Sequence, residues 1–568
     1  MPQPEWEELE RRIARIERYL GIPAEQAASV PVTAVGAGIR NQSSPSEVST
    51  ALLPILGRCL LGLAGAYLLR ALTESGTLTP QTGVAAGIFY AMAWLVWAAR
   101  TPAARRVEAA LHSLTSVLVL SPLLWEATLH FRAISTWTAG ALLLCFTLFG
   151  LAVSWRKNLL IVATIATLAG LGTAAALLVA ARDVVPFTLV FLAIAAAVEI
   201  SACLEHWLSE RWLAAVAADL AVLLATWLVT NERGLPESYA PIPYGWLLGS
   251  QVALLAIYLS STIIRTLFRG FTFTAFETAQ CALAFLIGVG GGLRLSKEAP
   301  AIALFALACA AACYVVSFAR LERGGSRRNF YTYSTFGILL VLAGSRILLS
   351  GTAAAAAWSA LAIACVWVGG FFGRLTLQVH GGIYLLLALA GSGAFQHATA
   401  MVLGAAQWPD ERQAALWAGL AAAAVCYLLA ARDVRGLSAW NSQTFRLVVA
   451  GTLVWMVAGA AAGVLTSAYH AGFGALASHA YCATLRTGVL AGSALLLAWA
   501  GARWSNVELS RLIYPLMVLG AYRLLIVDLH GNLKVPLFLS LLVYGAALIA
   551  LPRLKGLRPA APRAAPGS

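Results

Sequence analysis

Residues 158–204 read NLLIVATIATLAGLGTAAALLVAARDVVPFTLVFLAIAAAVEISACL, two apolar stretches joined at Arg182 and Asp183. A helix needs about 20 apolar residues to cross roughly 30 Å of hydrocarbon. This segment supplies that length twice, with Glu199 as the acid embedded in it. Laying the same ruler outward in both directions marks about eighteen such spans. They run from 51–72, 82–99 and 109–130, through 186–204, 211–229, 244–263, 273–292 and 381–403, to 444–467, 509–527 and 534–551. Hydrophobic residues make up 60% of the chain and charged ones 11%, with a mean hydropathy of +0.79. An ordinary soluble domain carries roughly 25% charged residues. The expected fold is therefore an all-α polytopic integral membrane protein.

Short cytoplasmic loops retain lysine and arginine. With the N-terminus inside, Arg100, Arg105, Arg106, Arg156, Lys157, Arg320, Arg323, Arg327 and Arg328 all fall in inner loops. An even number of spans puts the basic tail, with Arg553, Lys555, Arg558 and Arg563, on the same side. The formal net charge of +14 is spread over loops, which suits anionic lipid headgroups and excludes a nucleic-acid-binding module. The first 50 residues are polar and the first apolar run is a full span, so it reads as an uncleaved anchor. The nine cysteines, from Cys59 to Cys482, lie in or beside spans and read as small buried hydrophobes.

Residues 4–20, PEWEELERRIARIERYL, place Trp6, Leu9, Ile13, Ile16 and Leu20 at alternating steps of three and four. That is the seam of a coiled coil. Pro4 suits a first helical turn, and Gly21 with Pro23 ends the run. Two heptads are marginal alone, so the helix calls for a partner: a second copy, a cytoplasmic protein or the membrane surface. The expected organisation is a cytoplasmic coiled-coil helix at 1–21, a flexible linker at 22–50, a transmembrane helical domain at 51–551 and a disordered basic cytoplasmic tail at 552–568.

The coiled coil, the polar linker and the following GLAGAYLLRALTESGTLTPQTGVAAGIFYAMAWL together resemble the opening of bacterial membrane proteins in the domain of unknown function 2339 family. The stretch 514–554, YPLMVLGAYRLLIVDLHGNLKVPLFLSLLVYGAALIALPRL, is similar to that family's closing helix pair. The resemblance implies a multi-pass architecture in the bacterial inner membrane, and it implies no reaction.

An ionisable side chain at the centre of a span costs at least ~2.5–3.5 kcal/mol on insertion scales, so such groups are the candidates for function. Asp219 lies nearest mid-span, and Glu199 and Glu277 fall in the inner third of theirs. With Gln251, Gln280 and Arg58 they form a candidate polar intramembrane site, read either as a proton relay or as protonated or ion-paired structural groups. A second set lies toward the outer ends: Arg70, Arg346, Arg486 and Arg523, with Glu126 and Asp528 in the same layer. Arginine binds oxyanions bidentately, so this layer is a candidate anion or headgroup site. The competing reading is snorkelling to the interface.

The phosphate-loop, HExxH and GxSxG motifs do not occur. GVGGGL at 288–293, and the pairs Gly83 with Gly87 and Gly288 with Gly292, read as close helix packing. Cys309 and Cys313 share a helix face with no histidine nearby, a packing signature and not a metal site. No cofactor or metal is expected. LLVAARDV at 177–184 recurs as YLLAARDV at 427–434, an echo that an Ala- and Leu-rich chain produces easily. The leading function is transporter or flippase-like activity on an anionic or lipid-linked substrate. The alternatives are a membrane scaffold acting through the coiled coil, and a membrane enzyme on lipid-linked substrates with Glu126 or Asp528 as base. Single cysteines placed in 1–20 and in 555–568 are expected to react with an impermeant maleimide only after the membrane is opened from the cytoplasmic side. Labelling on opposite sides overturns the orientation.

Overall fold

The computed structural model describes residues 45–102, 105–206, 210–295, 299–324, 326–404, 413–431, 439–474, 478–528 and 534–556. The coiled-coil seam Trp6, Leu9, Ile13, Ile16 and Leu20, most of the linker and most of the basic tail lie outside the described residues. Within them the chain is helical and contains no strand. In hydrocarbon each backbone N–H and C=O must be satisfied within its own segment, and a run of helices is the solution an open chain can reach.

The chain divides into two compact units, Met1–Ile257 and Tyr258–Ser568. The first holds α1 (Pro45–Glu74), α2 (Pro80–Arg100), α3 (Arg106–Trp125), α4 (Thr136–Lys157), α5 (Leu160–Ala181), α6 (Val184–Cys203) and α7 (Arg211–Thr230). The boundary falls within α8 (Tyr244–Ile263). The second unit continues with α9 (Ala275–Leu295), α10 (Ala299–Val315), α11 (Arg327–Leu348), α12 (Gly351–Phe371), α13 (Leu375–Gly391) and α14 (Ala394–Leu403). It closes with α15 (Gln413–Ala431), α16 (Ala439–Phe473), α17 (His479–Arg503), α18 (Val507–Arg523) and α19 (Lys534–Gly556).

Sixteen of these helices are long and apolar enough to cross a membrane, and α13 with α14 makes a seventeenth if that bent pair counts as one span. The remaining expected span, 51–72, falls in α1, which carries Arg58, Arg70 and Glu74. The protein is an all-α, multi-pass membrane protein. Large apolar side chains such as Leu61, Phe89, Leu286, Phe371 and Val518 are strongly exposed, as a lipid-facing surface requires.

Local chemistry sets the helix ends. Thr79 caps α2 by accepting from Thr82 N, with Pro80 in the first turn, and Ser135 caps α4 by accepting from Thr138 N. Thr274 and Glu277 form a reciprocal capping box at the start of α9: Thr274 N donates to Glu277 Oε2 at 2.9 Å and Glu277 N donates to Thr274 Oγ1 at 3.3 Å. Four π-helical turns among the described residues, Glu126–His130, Ile264–Phe268, Val316–Leu321 and Leu524–Asp528, extend the C-terminal ends of α3, α8, α10 and α18. Each contains a charged residue.

Two buried ion pairs fasten consecutive helices. Arg211 at the start of α7 donates from Nε to Glu199 Oε1 at 2.9 Å and from Nη2 to Oε2 at 2.7 Å, closing the α6–α7 turn bidentately. In the second unit Arg265 Nε donates to Glu277 Oε1 at 2.5 Å, joining the π turn after α8 to α9. All four side chains are at most 6% exposed. Removing one member of such a pair leaves an uncompensated buried charge, at a cost of about 3–5 kcal/mol. Arg211→Met is therefore expected to lower the Tm of the detergent-solubilised protein strongly. The double variant with Glu199→Leu recovers most of the loss, and a double variant as unstable as the single one refutes the pairing.

Candidate functional site

A cavity with a volume of about 310 Å³ lies in the first unit, between α1, α2 and α3. Its walls are apolar: Leu63, Ala66 and Leu69 from α1, Val84 from α2, and Leu118, Pro122 and Leu123 from α3. Glycines at 83 and 87 make room on the α2 side, as their spacing suggests. A Cβ at Gly87 would stand 2.7 Å from Leu123 Cδ2, and one at Gly83 would collide with the Thr73 hydroxyl.

One end of the cavity is polar. Arg70 Nε donates to Glu74 Oε1 at 2.8 Å, and its Nη1 lies 2.6 Å from Glu126 Oε1. Arg70 is 45% exposed and Glu126 21%, so the cluster stands at the mouth and not in the dry interior. The chain geometry that presents Glu126 is legible locally. Pro122 sits inside α3, and four residues later the helix widens into the π turn that opens at Glu126. Three turns earlier, near the middle of α1, Arg58 Nη1 lies 3.5 Å from Glu108 Oε1, and Arg105 Nη1 lies 3.5 Å from Glu108 Oε2. The middle of α1 thus meets the start of α3, and the end of α1 meets the end of α3. The two helices run parallel, as spans separated by one intervening crossing must.

The expected polar intramembrane group is distributed differently. Arg58 pairs with Glu108 and not with a mid-span acid. Glu199 is held by Arg211, and Glu277, in the second unit, by Arg265. Asp219 is buried and partnered on α7. Gln251 donates from Nε2 to Thr226 Oγ1 at 3.1 Å while its own Oε1 is buried without a donor. Glu199 and Glu277 are thus buried and arginine-paired, the arrangement of structural ion pairs.

The expected outer layer is also divided. Arg70 and Glu126 meet in the first unit. In the second, Arg486 and Arg523 converge on the C-terminal tip of α14. Arg523 is 1% exposed and donates from Nη1 to Val402 O at 2.6 Å. Arg486 lies against Gly404, where a Cβ would stand 2.7 Å from Nη1. The tip exists because α13 and α14, expected as the single span 381–403, are bent by 67°. Ser392 caps the first helix, and Gly393, at φ +75°, begins the second. Trp455 Nε1 donates to Thr399 Oγ1 at 2.9 Å, and Gly459 lets α16 pack directly on Ala398. Arg346 is exposed on the last turn of α11, and the side chain of Asp528 lies outside the described residues.

Several participants escaped the sequence reading. Glu108, Arg211 and Arg265 sit at span ends, where they count as loop charges, and Gly404 carries no chemistry of its own. Glu210 is another. It is buried just before α7, accepts a bond from Thr164 Oγ1 on one carboxylate oxygen and has no partner for the other. All nine cysteines are free, and no cluster of three or more His, Cys, Asp or Glu among the described residues is arranged to hold a metal ion. No protein-family model, curated protein or solved structure matches this chain.

Burial raises the Glu210 carboxyl above its ordinary range, and the Thr164 hydrogen bond opposes that rise. A raised folded-state value favours the protonated carboxyl. The associated stability is complete below the unfolded carboxylate range and is lost as pH rises through the raised value. Glu210→Gln is neutral at every pH, so its Tm advantage over the parent should grow from pH 4 to pH 8. A difference that stays flat over that range shows that the carboxyl does not titrate there.

Proposed function

We propose that this multi-pass membrane protein is transporter or flippase-like, acting on an anionic or lipid-linked amphiphile. The observation that carries the reading is the cavity between α1, α2 and α3, which has an apolar body and an ion cluster at its mouth. The apolar walls suit an acyl or prenyl chain. The mouth suits a headgroup, because the Arg70 donor fork that holds Glu74 and Glu126 also matches an oxyanion.

The charge arithmetic defines how an anion enters. One guanidinium faces two carboxylates, so the ionised cluster carries a formal −1 and does not attract an anion from a distance. An oxyanion must take Arg70 from Glu126. That exchange undoes the link between the ends of α1 and α3, while the Arg58–Glu108 pair still ties the middle of α1 to the start of α3. Substrate binding and movement of the cavity wall are then one event. The bend between α13 and α14 fits the same reading, since interrupted helices are a recurring feature of secondary transporters.

The resemblance to the domain of unknown function 2339 family belongs to this proposal. It implies a bacterial inner-membrane location, and the lysine and arginine bias of the loops supports two cytoplasmic termini. The helix at 4–20 then offers a contact for a second copy or a cytoplasmic partner.

The test is lipid movement in proteoliposomes, followed by dithionite quenching of a fluorescent phospholipid and of a fluorescent prenyl-phosphate analogue. The parent protein should accelerate at least one probe. Ala66→Trp, which fills the cavity one helical turn from Arg70, should slow it at least about tenfold, equivalent to ~1.4 kcal/mol. Rates no faster than empty liposomes for both probes, or an Ala66→Trp variant as fast as the parent, defeat the reading.

A further inference from the structure

We propose that the tip of α14 is a second, separate binding site that takes a phosphate-type oxyanion, with Arg486 as its principal ligand. The proposal lies in the second unit and does not depend on the cavity in the first.

The argument begins with backbone geometry. Helix α14 ends at Gly404, whose φ of +89° is left-handed and whose N–H donates to Ala400 O at 2.8 Å. Such a cap favours glycine on conformational grounds alone. Here space gives a second reason, because a Cβ at this position would lie 2.7 Å from Arg486 Nη1 and 3.3 Å from Cζ. The guanidinium therefore rests directly on the chain at the end of a short helix.

The second step concerns partners. The carbonyl end of a helix carries roughly −0.5 of an elementary charge, and Arg523 already serves this tip through Val402 O. Arg486 is surplus to that need. Its Nε is buried and makes no hydrogen bond, and no carboxylate among the described residues pairs with it. The same helix face offers Cys482 one turn earlier, whose Sγ lies 3.4 Å from His470 Nε2. These are small polar groups, and neither cancels a positive charge. Every other buried or half-buried arginine discussed above has an acid or a carbonyl as its acceptor. The guanidinium is half-buried and its Nε has no acceptor, and an oxyanion placed on the planar donor fork of arginine fills the donors that the helix end leaves open.

The ligand chemistry is thus a phosphate oxyanion, carried either by free inorganic phosphate or by a phospholipid headgroup. The experiment separates the two sources. In detergent, the Tm of the full-length protein is measured against sodium phosphate at constant ionic strength, with sodium chloride as control. In parallel, native mass spectrometry follows retained lipid after reconstitution in nanodiscs of phosphatidylglycerol or of phosphatidylcholine alone. A rise in Tm with phosphate assigns the free anion. Selective retention of phosphatidylglycerol with no response to phosphate assigns the headgroup.

In either case Arg486→Met should weaken the response at least about tenfold while leaving the unliganded Tm little changed, because the guanidinium is only partly buried and no carboxylate among the described residues pairs with it. Gly404→Ala keeps the arginine but displaces it, and it should weaken the response comparably. That variant decides the matter alone if Arg486→Met does not fold. No response of the parent protein in either arm, or a response that both variants retain, overturns the site.

Discussion

Hydrocarbon offers no partner to a peptide group, and the architecture follows from that. A backbone that must satisfy its own N–H and C=O groups becomes helical, and it leaves the helical path only where something polar receives the freed groups. Departures here are few, and side chains or caps meet them. The π turn at Glu126–His130 closes through Phe131 N to Glu126 O at 2.8 Å. The bend after α13 is capped by Ser392 N on Ala388 O, and the tip of α14 by Gly404 and Arg523. Irregular backbone and charged side chains therefore occur together.

The buried ion pairs follow the same logic at the level of side chains. Their value is not net stabilisation, since the desolvation of two charges roughly offsets their attraction. Glu199–Arg211 and Arg265–Glu277 each span twelve residues and link the end of one helix to the start of the next. A slip of either helix would strand a charge in a dry interior. The pairs thus fix how consecutive helices meet, and they are poor candidates for carrying protons or ions. Their burial also separates them from Arg70, whose cluster is open to exchange.

Much of the architecture was legible in the sequence because the apolar ruler measures the quantity that matters. The 244–263 span coincides with α8, and 186–204 and 211–229 fall within one or two residues of α6 and α7. The ruler failed where length and direction part company. The run 381–403 is long enough to span, yet Gly391, Ser392 and Gly393 break it, a breaker signal that outweighs hydropathy. Conversely 444–467 lies within a helix of 35 residues, because polar residues at both ends continue the turn. Site residues were legible as types and not as pairs. Arg70 and Glu126 were marked independently and do meet. Arg211 and Arg265 were hidden because a cation at the edge of a span looks like a topological charge, and only packing shows it to be buried.

The two arginine sites differ in one variable, the charge already present around the guanidinium. Arg70 faces two carboxylates, so an incoming anion must displace one of them, and binding there is an exchange that changes a helix contact. Arg486 faces a helix terminus and a histidine–cysteine contact, so an incoming anion adds to the site without displacing anything. The first arrangement suits transient occupancy with movement, because the free and bound states each leave Arg70 paired. The second suits retention, because only the bound state leaves Arg486 paired. The proposed transport of amphiphiles would use both behaviours. The local charge balance at each arginine, more than its depth along a span, separates them.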